Sequence, residues 1–479
     1  MVGTPTDYVP HSERDVREML VAAGAASIDE LFAEIPEAVR RREPPELPAG
    51  VSEAEVLAGL RRLAAANTPA TQLVSFLGAG TYDHYIPSVV DAVVSRSEFL
   101  TAYTPYQPER SQGVLQSIFE YQTAITELTG MAISNASMYD AGTALAEAVS
   151  LAGAQTRRDL ATVSAGVHPE YRQVLFTETV GQGPCPQVSP LLPGGATDLD
   201  ALRAAVNAHT AAVVVQQPNF FGALEDLHAA AAIAHEAGAL FVVVADPLAL
   251  GLLEAPGAAG ADVVVGEAQV FGNSMSFGGP GLGYMAVTRP LMRRLPGRLV
   301  GETKDIDGNR GFVLTLQTRE QHIRRDKATS NICSNHALNA LAALVHLSWL
   351  GKEGLLRLGV LCAQKAAYLR RRLLLVPGVS GLTEGPIFRE FAVRLPLPAT
   401  ELLEALVPAG FLAGVPAGLV ADRLDATAAG FGTELGDLDD VLLIAVTEKR
   451  TRAEMDAFVA AVVAQLGVDV LAGAGVDHA

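Results

Sequence analysis

Lysine is the scarcest charged residue of this chain: five among 479 residues, Lys304, Lys327, Lys352, Lys365 and Lys449. None lies between Asp246 and Gly283, so that stretch offers no side-chain amine. Cysteine is rarer still. Cys185, Cys333 and Cys362 lie far apart, form no metal-ligand pattern, and read as reduced thiols of a cytoplasmic protein without a structural zinc site. No apolar run reaches the length of about 18 residues that a membrane span needs. Met1 to Asp7 has no basic segment followed by an apolar one, so no secretion signal is expected. Basic charge is in deficit, 35 Lys and Arg against 53 Asp and Glu, giving a net charge of -18. That excludes a nucleic-acid surface and a polybasic membrane contact, which need clustered cations.

What is present is a large apolar content, 49% against 18% charged, and a length that predicts two or more domains. Residues 1–67 read as a helical arm. Ser12 with Asp15, Ser27 with Glu30 and Ser52 with Glu55 have the spacing of capping boxes, and Gly24 is a helix stop. Pro44, Pro45 and Pro48 form a stiff linker between them.

Over residues 68–290, short apolar runs alternate with helical patterns. Val174 to Phe176, Ala212 to Gln217, Leu240 to Ala245 and Asp262 to Val265 read as strands buried on both faces. Leu199 to Ala208 and Leu227 to Ala237 read as helices between them. The expected architecture is α/β, with a mostly parallel sheet between helical layers. Residues 291–466 begin with a glycine-rich loop stretch containing Gly297, Gly301, Gly308 and Gly311. Two long helices follow, Asn335 to Leu350 and Gly354 to Leu375. Strands at Phe391 to Val393 and Val441 to Val446, with helices after Thr400 and Thr451, complete a smaller α+β domain. Residues 467–479 read as a tail.

Three segments carry candidate chemistry. Asp246 follows the apolar strand ending at Ala245, where an acid can hold a cofactor's ring nitrogen protonated; a helix-capping aspartate suits the same position. Asn135 to Thr143 precedes an Ala-rich helix, either presenting N–H groups to a phosphate or forming an ordinary capped turn. Ser276 to Gly283 is a glycine-rich turn that matches neither the P-loop nor the dinucleotide pattern.

Four blocks in order carry a closer resemblance: Leu77 to Tyr82, Thr104 to Gly113, Asn135 to Gly142 and Lys327 to Cys333. With them the chain resembles the P-protein family of the glycine cleavage system, glycine dehydrogenase (decarboxylating), from about Asp7 to Ala460. The resemblance implies the fold type I of pyridoxal-phosphate-dependent transferases (aspartate aminotransferase-like): a large domain, a smaller C-terminal α+β domain and an N-terminal helical arm. It implies decarboxylation of glycine with pyridoxal phosphate, and transfer of the aminomethyl group to the lipoyl arm of H-protein. In many bacteria the family is split into two homologous subunits, and only one bears the cofactor lysine. Counting back from the Gly-Pro-Gly turn at Pro280 puts Gln269 at the lysine's place. An amide cannot condense with the cofactor's aldehyde. The resemblance therefore implies the subunit without the lysine, with no catalytic residue of its own. Its cofactor is then on a lysine-bearing beta subunit in an α2β2 assembly, with lipoylated H-protein and glycine as further partners.

The same resemblance implies roles across an interface. Tyr82, His84, Tyr85, Tyr103, Tyr106 and Gln107 would line the partner's pocket, and Thr329, Ser330 and Asn331 would contact the partner's cofactor. Arg324 and Arg325 are candidate clamps for a carboxylate or phosphate, or a solvated charge pair. Two rivals stay open: a non-catalytic scaffold for the partner, and a self-sufficient enzyme using Lys327.

Overall fold

The computed structural model describes residues 10–41, 43, 45–181, 183–328, 330–422 and 435–468. It divides into two units, residues 1–68 and 69–479. In the first, the helices Glu13–Ala23 and Glu53–Ala65 both start at capping boxes, Ser12 with Asp15 and Ser52 with Glu55. Gly24 ends the first helix in the left-handed region at φ 70°, open to glycine at no steric cost. Ser27 caps only a short 3₁₀ turn, Asp29–Phe32. Neither helix buries a residue, so their apolar stripes, with Met19, Leu60 and Leu63, are exposed.

The second unit is built on a seven-stranded sheet. Its spatial order is Ile133–Ser134, Gly283–Val287, Val263–Glu267, Leu240–Ala245, Thr210–Gln217, Leu160–Ser164 and Cys185–Ser189. Gly283–Val287 runs antiparallel to both neighbours, and the remaining pairs are parallel. The unbroken apolar runs follow from burial on both faces. Val213, Val215, Phe241, Val243 and Val264 enter one core with Tyr121 and Ile125. The alternate residues Val214, Val242, Val244, Val263 and Val265 enter the other, with Leu145, Ala148 and Val149 of the helix Ala141–Thr156.

A four-stranded antiparallel sheet forms the smaller body: Ser380–Gly381, Glu390–Arg394, Val441–Ala445 and Val415–Pro416. Helices Ala399–Leu406 and Arg452–Leu466 pack on its core. The strand Val74–Ser75 pairs with Phe411–Leu412 beside this core.

Two expectations are corrected. Val174 to Phe176 lies in the helix Pro169–Thr179, capped by His168 and started by Pro169; a three-residue apolar run carries no period, and the strand belongs at Leu160–Ser164. The glycine-rich stretch holds an antiparallel hairpin, Leu299–Lys304 with Arg310–Thr315, turning at Gly308 with φ 84°. The two long helices are found as expected within Ala337–Leu373, parted at Gly351 where φ is 59° and ψ -178°. No described helix is long and apolar enough to cross a membrane.

Candidate functional site

At the C-terminal end of the strand Leu240–Ala245, Asp246 plays two parts. Its Oδ1 accepts N–H bonds from Leu248 at 3.0 Å and Ala249 at 3.4 Å. Its Oδ2 pairs with Nη2 of Arg389 at 2.5 Å. Arg389 is 2% exposed, lies 3.6 Å over the Tyr82 ring, and donates from Nη1 to Nε2 of His84 at 2.6 Å. That fixes the tautomer: His84 donates from Nδ1 to Glu448 Oε2 at 2.6 Å. Burial pushes the His84 pKa down, which agrees with a neutral ring between guanidinium and carboxylate. Burial would raise Glu448, yet hydrogen bonds from His84 and the Tyr85 amide outweigh it and hold this carboxyl low. Beside this chain of charges, Glu390 accepts from the Tyr82 hydroxyl and the Ala79 amide, each at 2.7 Å.

The neighbouring strand brings Glu267 and Gln269. Glu267 accepts from the amides of Leu282 at 2.6 Å, Gln269 at 3.1 Å and Ala141 at 3.3 Å. Ala141 is the first residue of the helix Ala141–Thr156, whose N-cap Asp140 accepts from Thr143 N at 2.8 Å. The turn expected to face an anion is therefore supplied with two carboxylates of the chain itself. Gly283 makes this closure possible: a Cβ there would stand 2.4 Å from the Asp140 carbonyl oxygen. Gln269 is 4% exposed and its amide is spent on backbone, donating to Asn273 O at 2.6 Å and accepting from Tyr82 N at 3.3 Å.

Burial raises the Glu267 pKa to about 7. A folded-state pKa above the unfolded value near 4.3 means that the native state binds the proton more tightly. The stabilising contribution is present in acid and is lost as pH rises from about 4.5 to 7, by up to about 3 kcal/mol. Glu147, also raised to about 7 by burial, adds a parallel slope. Glu267→Gln is expected to make the fall of stability with pH shallower, leaving the share of Glu147 and of Glu225 and Glu390, which burial also raises, as read from urea midpoints at pH 5, 6, 7 and 8. Wild type and variant with equal slopes would contradict the assignment.

The space left over Asp246 is a cavity of about 50 Å³, bounded by Tyr82, Tyr171, Arg389 and Glu390. This is smaller than the cavity of roughly 150 Å³ that takes a benzene ring. Beside it opens a larger space of about 380 Å³, walled by Asp140, Glu170, Glu267, Gln269 and by His168, which stacks on Tyr171 at 4.4 Å. Its polar wall is acidic, the wrong sign for a phosphate. Gln269, the carboxylates at the helix start and the Asp246–Arg389 pair together do not fit pyridoxal phosphate in this chain.

Of the residues expected at a neighbour's pocket, Tyr82 and His84 turn into this network instead, because their polar atoms find Glu390, Glu448 and Arg389 within the chain. Such a role is left to Tyr85, Tyr103 and Tyr106, which are 57%, 84% and 47% exposed, and to exposed Gln107. Ser330 donates to Glu147 at 2.8 Å, Asn331 is exposed, and Thr329 lies outside the described residues. Arg324 and Arg325 are both exposed. Sequence reading missed Arg389, Glu390 and Glu448, more than 140 residues from Asp246, and no local pattern marks them. Glu267 did carry a signal, as an acid closing an otherwise apolar strand.

Sheet order, the small C-terminal domain and a polar site at the sheet's carboxyl edge define a chain of the pyridoxal-phosphate-dependent transferase fold type I. Its structure is similar to an Escherichia coli cysteine desulfurase (TM-score 0.60, 16% identity, 85% of this chain and 98% of that one). It is also similar to a Burkholderia pseudomallei sphingosine-1-phosphate lyase (TM-score 0.61, 16% identity, 91% and 94%). The family model of the glycine cleavage system P-protein matches residues 6–393, and the chain belongs to that family. A probable glycine dehydrogenase (decarboxylating) subunit 1 of Geobacillus kaustophilus is 54% identical over 94% of this chain and 97% of its own length. The protein of the same description from Chlorobium chlorochromatii is 52% identical over 95% and 98%. The crystal structure of a glycine decarboxylase (P-protein) of the glycine cleavage system in inhibitor-bound form superposes with TM-score 0.85 at 48% identity, over 96% of this chain and all of that one.

Proposed function

We propose that this chain is the subunit without the cofactor lysine of a cytoplasmic glycine dehydrogenase (decarboxylating), active in an α2β2 complex with a homologue that bears it. The reaction so assigned is the decarboxylation of glycine, with the aminomethyl group passing to the lipoyl arm of H-protein. The electron sink for that chemistry is pyridoxal phosphate, assigned to the partner subunit. The observation that carries the reading is Gln269, buried at the lysine's place with its amide bonded to backbone. This chain's share is to shape the partner's pocket through Tyr85, Tyr103, Tyr106 and Gln107, with Thr329, Ser330 and Asn331 assigned as contacts of the partner's cofactor.

Borohydride reduction of the assembled complex is expected to fix one cofactor per pair, and peptide mapping to place it on the partner. Gln269→Lys is expected to leave that count unchanged, because Glu267 still holds the Ala141 amide and Arg389 still holds Asp246. Label on this chain in the wild type would defeat the assignment.

A further inference from the structure

Arg298 stands just before the hairpin strand Leu299–Lys304, and it is 4% exposed. Its Nη1 donates to two neutral oxygens, Ser334 Oγ at 3.2 Å and Asn335 Oδ1 at 3.4 Å. Its Nε has no partner, and no carboxylate of the described residues pairs with the guanidinium. Glu320, the acid of the nearby turn, faces His322 at 3.6 Å and acts on Arg319, whose Nη2 bonds Gly297 O. An arginine cannot shed its proton, and a buried charge without a counterion is costly. Buried Arg389, by contrast, has Asp246. Arg298 has only the ring of Tyr106, 5.7 Å from its Cζ, and that tyrosine is 47% exposed. The uncompensated charge therefore lies buried beneath a half-exposed tyrosine of the block assigned to the partner's pocket.

We propose that Arg298, with Tyr106, Ser334 and Asn335, is an oxyanion-binding site that this chain presents to its partner, an inference resting on the two-subunit reading above. The ligand is a phosphate monoester or a carboxylate, either of which the planar guanidinium fork fits. Two sources supply that chemistry at the interface: the phosphate of the partner's cofactor, or an acidic side chain of the partner.

The test uses the assembled complex carrying Arg298→Gln or Arg298→Lys. Retention of pyridoxal phosphate is measured by dialysis and fluorescence, and assembly by sedimentation. A roughly tenfold or greater loss of cofactor retention with unchanged assembly marks the phosphate. A similar loss of assembly with unchanged retention marks a partner carboxylate. If Arg298→Gln alters neither, the inference is overturned. Against the case of a variant that folds poorly, the full chain is melted in inorganic phosphate and in chloride at equal ionic strength. The wild type is expected to gain melting temperature in phosphate and Arg298→Gln to gain less, while equal gains overturn the inference. A wild-type complex without glycine–bicarbonate exchange would instead sink the two-subunit reading, leaving the phosphate melts as evidence on Arg298 alone.

Discussion

Prepared without its partner, the chain is expected to exchange glycine carboxyl with bicarbonate no faster than the uncatalysed background. The loss against the complex is on the order of 10⁶-fold or more, the usual scale of enzymatic acceleration. The chemistry needs an amine that can hold the cofactor, and the structure leaves none in reach. No lysine borders either space beside Asp246. Lys449 is paired with Asp83 at 2.6 Å, and Lys365 donates to the backbone oxygen of Glu448. Lys304, Lys327 and Lys352 are exposed, and Lys327 lines neither space beside Asp246. Adding the lysine-bearing homologue is expected to restore exchange in proportion to the pairs formed. Turnover by the highly purified single chain would defeat this.

Arg389→Met is expected to be the most damaging single change in the pocket, lowering unfolding free energy by about 3–5 kcal/mol. Removing one partner of a buried pair leaves the other charge without compensation. Here the loss falls on Asp246 Oδ2 and on the His84–Glu448 bond, which takes its tautomer from the guanidinium. Methionine matches much of the volume, so the cost is electrostatic more than a cavity. Arg324→Ala, at an exposed position, serves as the comparison and is expected to stay within about 0.5 kcal/mol of wild type. Denaturant midpoints read both. Similar small shifts in the two variants would show that the Asp246 network is not a stabilising hub.

The filled pocket is the reason that restoring one residue is expected to restore little. Asp246 faces a guanidinium, the helix start faces Glu267, and the Gln269 amide is bonded to backbone at Tyr82 and Asn273. Each of these groups has found a partner inside the chain. A ligand entering would have to displace satisfied buried hydrogen bonds, and each would cost its desolvation penalty.

The sequence by itself determined what depends on neighbours along the chain. Leu240–Ala245 and the strand at Val263–Glu267 were legible because an unbroken β-branched run has one good use, a strand covered on both faces. The capping boxes at Ser12 and Ser52 were legible because their spacing is the hydrogen bond itself. The missing lysine was legible as an absence at a known distance from Pro280. Only the tertiary structure decided what became of the site. Arg389 is 143 residues from Asp246, and the small domain's strand must dock beside the large sheet before the two charges meet. The helix Pro169–Thr179 and the hairpin at Leu299–Thr315 were likewise set by packing, since short apolar runs and scattered glycines fit more than one element. Burial does the rest: an acid such as Glu267 reads as any other in a sequence, and its pKa moves to about 7 only once the fold removes the water around it.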